Sequence, residues 1–257
     1  MVKKLFDEIV TIRENRRVNA KYRKLVFVSP ELSRHVLPGQ FLHVKINQGR
    51  DPYLRRPFSY YRAQKNTVEI LYEVLGHGTD VLSRKKKGDS LKIMGPLGNN
   101  FKIDLKGKKR ILVGGGIGVP PLVHLAERFP SDYLLMGTKS SAEVLPGNEL
   151  KRVKAKILYA TEDGSIGAKG FVTAPLEKII KKENPQDLFI QTCGPKPMML
   201  AVMAMARRYG VRGEASWDEA MACGVGACLG CMVETTEGLK RACVDGPVFN
   251  FEELVGR

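Results

Sequence analysis

The chain has 257 residues, of which 43% are hydrophobic, and this content can fill the core of one large or two modest domains, which excludes a disordered protein. The charged start of the sequence and the shortness of its apolar runs, compared with the roughly 18 residues that span a bilayer, predict a cytoplasmic protein without export signal or membrane segment. The formal net charge of +15 comes from the first 213 residues, where basic residues are scattered without a nucleic-acid-binding motif, while residues 214–257 are net acidic. This favours a solvated basic surface that attracts anionic cofactors or an acidic partner.

The first hundred or so residues have the pattern of short strands separated by turns. Apolar and polar residues alternate at 6–13, 22–28, 40–46 and 67–74. Several short strands at this spacing predict a small antiparallel β-barrel. We assign residues 1–103 to this domain.

Two places in the predicted barrel suggest chemistry. In the run Arg56-Pro57-Phe58-Ser59, the arginine could hold a diphosphate, the ring could stack on a flat cofactor and the hydroxyl could bond its edge. An edge strand with a surface arginine explains the same residues equally well. The second place is Gly78-Thr79, before a predicted helix at 80–84, where backbone N–H groups could bind a phosphate or simply form a turn.

From about residue 101 the pattern changes to alternating strands and helices. Strands are predicted at 109–113, 132–137, 156–161 and 187–192, and helices at 122–128, 175–182 and 196–209. This alternation predicts an α/β nucleotide-binding domain with a parallel sheet, at residues 104–213. The glycine-rich turn after the first strand lacks the usual G-x-G-x-x-G fingerprint, because the sixth position is Val119.

Residues at the carboxyl ends of these strands are expected to line one pocket, because ligands of open α/β sheets bind there. They are Gly115, Gly116, Gly118, Thr138, Cys193, Gly194 and Pro195. A glycine-rich turn before a helix can accept a pyrophosphate. No acidic residue is clearly placed to bind the ribose hydroxyls of NAD, and Lys139 could instead meet the 2′-phosphate of NADP.

Four of the five cysteines lie close together near the end of the chain. Cys223, Cys228 and Cys231 follow the pattern C-x4-C-x2-C, and Cys243 comes after eleven more residues. This spacing opens the pattern of plant-type 2Fe-2S ferredoxins, so a 2Fe-2S cluster is predicted. Zinc remains an alternative, although all-cysteine zinc sites usually use two C-x2-4-C pairs. With a predicted hairpin at 232–236 and 239–244, this region forms a small C-terminal lobe at 214–257.

The order of barrel, nucleotide domain and cysteine loop resembles the ferredoxin-NADP reductase superfamily over about the first 210 residues. The resemblance rests on the Arg-x-(aromatic)-Ser motif that begins at Arg56, on the Gly78-Thr79 turn and on Cys193-Gly194-Pro195. The motifs at 161–165 and 169–173, together with the cysteine loop at 221–231, restrict the resemblance to one family within that superfamily. With them the whole chain is similar to the electron-transfer subunits of type B, NAD-dependent dihydroorotate dehydrogenases.

This resemblance implies a set of cofactors and ligands. NAD would be the electron acceptor, and the four clustered cysteines would hold the 2Fe-2S cluster. FAD would be bound by Arg56, Pro57, Phe58, Ser59, Leu71, Tyr72, Glu73, Gly78 and Thr79.

The resemblance also implies a partner, an FMN-containing catalytic subunit that oxidises dihydroorotate in pyrimidine biosynthesis, in a heterotetramer with two subunits of each kind. Electrons would pass from that FMN through the cluster and FAD to NAD. Relatives with the same layout serve sulfide dehydrogenases, sulfite reductases and NADH-dependent ferredoxin-NADP reductases. A basic zinc-containing binding module is the alternative from another class.

Overall fold

The computed structural model describes residues 4–47, 49 and 51–255, and the first part of the chain forms a seven-stranded antiparallel sheet. The strands lie in the order β4-β3-β7-β1-β2-β6-β5, so β4 is at an edge. This is the predicted antiparallel barrel domain. Its strands are β1 (Phe6–Arg17), β2 (Tyr22–Val28), β3 (Phe41–Lys45), β4 (Arg56–Ser59), β5 (Arg62–Gln64), β6 (Thr67–Glu73) and β7 (Ser90–Leu97).

Two helices pack against the barrel core. Helix α1 (Pro30–His35) begins after Ser29, whose hydroxyl accepts the N–H of Leu32. Helix α2 (His77–Arg84) begins three residues before the predicted start at 80 and buries Leu82 against the core. The Gly78-Thr79 pair therefore lies in the first turn of a helix, and not in a loop before it.

Six of the seven strands of the second sheet are parallel, and helices lie in most of the connections between them. The strands lie in the order β11-β10-β9-β8-β12-β13, so the chain runs outward from β8 and later returns to its other side. The crevice at the carboxyl ends of β8 and β12 is thus a topological switch point, where such sheets bind ligands. The elements are β8 (Lys109–Gly115), α3 (Val119–Arg128), β9 (Tyr133–Thr138), α4 (Gly147–Leu150), β10 (Lys156–Thr161), β11 (Ala168–Lys169), α5 (Thr173–Lys182), β12 (Leu188–Cys193), α6 (Lys196–Tyr209) and β13 (Arg212–Ser216).

Helices cover both faces of this parallel sheet, as the α/β prediction requires. In β8, Ile111 and Val113 pack with α5 and α6, whereas Leu112 between them packs with α3. Successive residues of a strand point to opposite faces, so a continuous apolar run buries both. Among the helices of the described residues, none is both long enough and apolar enough to cross a membrane.

The last part of the chain adds a hairpin and one more strand. Strands β14 (Met232–Thr235) and β15 (Gly238–Arg241) form the predicted hairpin, and β16 (Val248–Asn250) pairs antiparallel with β13. The predicted boundary between residues 213 and 214 falls inside β13, and β16 extends the parallel sheet. The division into 1–103, 104–213 and 214–257 stays a prediction.

A buried ion network holds the barrel against the nucleotide domain. Arg62 of β5 donates to Glu127 of α3 at 2.6 Å and to Glu149 of α4 at 3.0 Å. Lys24 of β2 donates to Glu149 at 2.7 Å. Burial alone would raise the pKa of Glu149, but hydrogen bonds from Lys24, Arg16 and Arg62 lower it to about 2. The carboxylate stays ionised and ties three barrel strands to the second domain.

Candidate functional site

The structure brings together the two motifs that the sequence placed in separate parts of the barrel. Arg56 in β4 lies beside the first turn of α2, where a Cβ atom added to Gly78 would come 2.8 Å from its Nε. The hydroxyl of Thr79 accepts the backbone N–H groups of Leu75 at 3.0 Å and Gly76 at 3.2 Å, and so shapes the turn. A guanidinium beside a helix N-terminus is an arrangement suited to a diphosphate.

A cavity of about 140 Å³ lies where the three parts of the chain meet. Its barrel wall includes Phe58, and the opposite wall includes Cys193, which burial holds at a raised pKa of about 12. Met221, just before the first clustered cysteine, also borders it. Predicted site residues in its lining are Pro57, Phe58, Ser59, Leu71, Gly118, Cys193 and Gly194.

Two predicted flavin-binding residues point their side chains elsewhere. Tyr72 is buried in the barrel core, where its hydroxyl donates to Asn15 at 2.8 Å. Glu73 lies 3.8 Å from Lys21. Strand β5 pairs with β6 only as far as Glu69, so in the described structure the following residues of β6 have one sheet edge without a paired strand. Tyr72 and Glu73 are thus placed to bind a cofactor through their backbone.

A larger cavity of about 480 Å³ lies over the carboxyl ends of β8, β9 and β12. Predicted residues in its lining are Gly115, Gly116, Thr138 and Pro195. The residues expected to line one pocket are therefore divided between two cavities. The turn after β8 contacts the end of β12, because a Cβ atom on Gly118 would collide with the carbonyl oxygen of Cys193. A side chain at position 118 would separate the two walls.

The larger cavity contains an acidic side chain that sequence reasoning missed. Glu162 lines it with Lys139 and Glu143, and Glu143 is 3.2 Å from Lys21. Within the described residues, no hydrogen bond or ion pair engages the Glu162 carboxylate. The backbone N–H of Glu162 donates to Thr138 at 3.1 Å, so this loop is tied to the end of β9. The signal available in the sequence was an acidic residue directly after the strand that became β10.

The first two clustered cysteines form a pair. The Cys223 sulfur accepts the backbone N–H groups of Val225 and Cys228, each at 3.4 Å. Burial raises the pKa of Cys223, but these donors and the Cys228 thiol outweigh it and lower the pKa to about 6. Backbone donors around a thiolate are what a metal-sulfur site needs.

The other two cysteines form a second pair, because the hairpin folds back on itself. Cys231 precedes β14 and Cys243 follows β15, and the N–H of Ala242 donates to the Cys231 carbonyl at 2.9 Å. Burial, and then the Cys231 thiol, raise the pKa of Cys243 to about 12. All four thiols are free.

The paired arrangement bears on which metal group would fit. Among residues 4–47, 49 and 51–255, no three His, Cys, Asp or Glu side chains converge as ligands of a single ion. A tetrahedral zinc site needs four ligands around one point. Two thiol pairs from one small lobe suit a core with two iron atoms better.

The comparisons with known proteins agree with these features. The model of the iron-sulfur cluster binding domain of dihydroorotate dehydrogenase B matches residues 218–255. The dihydroorotate dehydrogenase B (NAD(+)) electron transfer subunit of Desulforamulus reducens is 36% identical over 239 residues, covering 89% of this chain and 90% of the relative. That of Caldanaerobacter subterraneus subsp. tengcongensis is 38% identical over 250 residues, covering 95% and 96%.

A solved structure extends the likeness to the whole fold. The NADH-dependent reduced ferredoxin-NADP oxidoreductase, studied for flavin-based electron bifurcation, matches with a TM-score of 0.85 at 28% identity. The match covers 96% of this chain and 90% of that chain. These matches confirm the resemblance inferred from the motifs, and the chain belongs to the family of dihydroorotate dehydrogenase B (NAD(+)) electron transfer subunits.

Proposed function

We propose that this protein is the electron-transfer subunit of a dihydroorotate dehydrogenase B, which passes electrons from a catalytic subunit through a 2Fe-2S cluster and FAD to NAD. The observation that carries the proposal is the cavity bordered by Phe58, Cys193 and Met221, one residue from each part of the chain. FAD, when bound, exchanges a hydride with a nicotinamide and single electrons with a cluster. A flavin ring in this cavity could accept or donate electrons on both sides, towards the nicotinamide and towards the cluster.

The barrel supplies the proposed FAD site. Arg56 and the first turn of α2, with Gly78 and Thr79, bind the diphosphate, because a guanidinium and unpaired helix N–H groups converge there. Pro57, Phe58 and Ser59 line the ring cavity. Leu71, Tyr72 and Glu73 contribute through the open edge of β6, and the Leu71 side chain also lines the cavity.

The parallel sheet supplies the proposed NAD site. The diphosphate of NAD lies against Gly115 and Gly116, and Gly118, Cys193 and Gly194 hold the nicotinamide against the flavin. Thr138 and Pro195 complete the wall of the larger cavity. Glu162 accepts hydrogen bonds from the ribose hydroxyls of NAD, since its side chain lines the cavity, its backbone is bonded to the end of β9 and its carboxylate has no partner among the described residues.

The C-terminal lobe supplies the proposed cluster site and the surface that meets the partner. Cys223, Cys228, Cys231 and Cys243 would hold the two iron atoms, and the backbone N–H groups that donate to the Cys223 sulfur would offset the negative charge of the site. Exposed apolar side chains surround this loop, with Leu229 59% exposed. We infer that the catalytic subunit docks here, because Cys228 is itself exposed and one-electron transfer needs a short path.

The family name implies a catalytic partner, and the motif resemblance supplies its finer description. In our proposal that partner carries FMN, and the assembly contains two subunits of each kind. The basic charge of the chain lies outside residues 214–257, which carry eight acidic against three basic side chains, so charge alone does not favour an acidic partner at the C-terminal lobe.

A second function is favoured by one observation, the likeness to the NADH-dependent reduced ferredoxin-NADP oxidoreductase over 96% of this chain. In that case the same FAD and cluster would serve a ferredoxin-linked partner. The higher identity to the dihydroorotate dehydrogenase relatives, 36% and 38%, favours the first function.

An anaerobic titration distinguishes the two. The visible spectrum of the purified chain, alone and then with its co-purifying partner, is followed in separate oxidised samples during addition of NADH or of dihydroorotate. We expect NADH to bleach flavin and cluster in the chain alone, and dihydroorotate to do so only when the partner is present. Bleaching by NADH but never by dihydroorotate, with the partner bound, would move the chain to the ferredoxin-linked function.

A further inference from the structure

His43 in β3 is a buried histidine whose ring has no hydrogen-bond partner. Its exposed fraction is 0%, and both ring nitrogens are unpartnered within the residues that the structure describes. A buried polar group without a hydrogen-bond partner destabilises the folded state, because it has lost its bonds to water. Such groups are rare in native proteins and usually serve an ion, a water or a ligand.

The ring of His43 lies against the cysteine loop. A Cβ atom added to Gly224 would come 2.8 Å from Cε1, 2.9 Å from Nδ1 and 3.1 Å from Nε2 of His43. Gly224 directly follows Cys223 and has a φ of +72°. Both its conformation and the imidazole beside it require glycine. The loop is therefore shaped to admit this ring.

Phe41, two positions before His43 in β3, links the imidazole to the cavity bordered by Phe58, Cys193 and Met221. The rings of His43 and Phe41 have centroids 5.7 Å apart, and Phe41 lines that cavity. The imidazole thus stands between the proposed FAD site and the proposed cluster site.

The imidazole is a neutral hydrogen-bond donor. Burial, and then the charge of Arg55, lower the pKa of His43 to about 4. A neutral imidazole carries one N–H, and this N–H has no acceptor among the described residues. An acceptor beside the cysteine loop would satisfy it.

We propose that the ring N–H of His43 donates a hydrogen bond to a sulfur of the 2Fe-2S cluster held by the cysteine loop. Such a bond stabilises the more negative, reduced cluster and raises its reduction potential. This inference rests on the proposed function, because it requires a cluster at the four cysteines. It also assigns a redox role to a residue of the barrel domain.

The first test observes the bond without any substitution. The whole complex is prepared with histidine labelled with ¹⁵N in the ring, the cluster is reduced, and ¹⁵N couplings are measured by pulsed electron paramagnetic resonance. We expect a weak coupling that disappears in His43→Phe. A reduced cluster without any ¹⁵N coupling, or with one as large as that of a direct iron ligand, would overturn the proposal.

The second test measures the potential of the cluster in variants. In His43→Phe we expect the equilibrium constant for cluster reduction to fall about tenfold, which is 59 mV for a one-electron couple. His43→Gln keeps an N–H donor and should lie closer to the parent. His124→Phe is the matched control, since His124 in α3 is also buried with both nitrogens unpartnered in the described structure. An unchanged potential in His43→Phe would overturn the proposal.

The outcomes separate this inference from the function on which it rests. If His43→Phe fails to assemble a cluster, the labelled parent complex still decides. A complex without flavin and iron would reject the proposed function itself. An intact cluster without the coupling would reject only the role of His43.

Discussion

Gly78 lies directly against Arg56, with the position of a Cβ atom on Gly78 only 2.8 Å from the Nε atom of the arginine. The neighbouring atoms belong to the end of a flexible side chain, so a methyl group at position 78 would displace the guanidinium at little cost to the fold. The glycine therefore preserves the position of a proposed diphosphate-binding group. A substitution of Gly78 is therefore expected to change FAD affinity without lowering the stability of the fold.

We expect Gly78→Ala to weaken FAD binding about tenfold, since a displaced charged donor loses roughly 1.5–3 kcal/mol at most. Thermal stability should be unchanged or slightly higher, because alanine favours helices. FAD affinity is measured by fluorescence titration of the apoprotein. Gly76→Ala is the control, because a Cβ atom there meets nothing within 4 Å. Equal FAD affinity in both variants would contradict the assignment of Arg56.

We expect Cys228→Ser to remove the cluster and leave FAD bound, because Cys228 is a proposed cluster ligand on the cysteine loop, whereas the FAD site lies on the barrel. Iron and flavin content per chain are the measurements, with zinc determined in the same samples. Cys193→Ser, at the one cysteine outside the group, should retain iron. Loss of both FAD and iron from a folded Cys228→Ser variant would argue against separate sites, and zinc in place of iron would argue against a cluster.

We expect Glu149→Gln to destabilise the protein by about 1–3 kcal/mol, because Arg62 and Lys24 lose a shared buried counter-charge but keep Glu127 and Glu69 as partners. Denaturant unfolding provides the measurement. Glu31→Gln, at an exposed carboxylate paired with Arg34, should change stability by less than about 1 kcal/mol. Similar losses in the two variants would show that the network does not hold the domains together.

The same carboxylate predicts a dependence of stability on pH. Its pKa is lowered from 4.5 to about 2 in the folded protein, so its contribution is present above pH 4.5 and is lost as the pH falls towards 2. The parent should lose stability over this interval more steeply than Glu149→Gln. Parallel curves for the two proteins would be inconsistent with an ionised Glu149.

We expect Glu162→Gln to raise the KM for NADH about tenfold and to reduce discrimination against NADPH, because a carboxylate that accepts two ribose hydroxyls also repels a 2′-phosphate. Steady-state reduction of an artificial acceptor measures both nucleotides. Glu143→Gln lies in the same cavity, but its carboxylate already pairs with Lys21, so the effect should be smaller. Unchanged selectivity in Glu162→Gln would direct attention to Lys139.

We expect Leu229→Asp to prevent assembly with the catalytic subunit while the isolated chain keeps FAD, cluster and reduction by NADH. The φ of Leu229 is 55°, a conformation that aspartate tolerates. Size-exclusion chromatography of the co-expressed subunits is the measurement. Ile9→Asp is the control, since Ile9 is 64% exposed on the barrel. Normal assembly of Leu229→Asp would place the docking surface elsewhere.

Much of the fold follows from local patterns in the sequence. Helix α6 begins and ends at its predicted residues, because Pro197 lies in its first turn and Gly210 closes it with a φ of 69°. Strands β2 and β10 also have their predicted bounds. Such elements depend on periodicity and on residues within a few positions of their ends. The predicted start of α2 at residue 80 was wrong. The helix begins at His77, where the Thr79 hydroxyl accepts the N–H of Gly76 and caps the first turn.

The sequence by itself determined the order of barrel, parallel sheet and cysteine loop, because period-two and helical patterns and cysteine spacing are properties of neighbouring residues. Only the tertiary structure decided which distant residues meet. It placed Gly78 on Arg56, the Glu162 carboxylate in the larger cavity and His43 on Gly224. These contacts join residues far apart in the chain, so no local pattern encodes them; they arise when sheet order, hairpin pairing and domain packing are satisfied together.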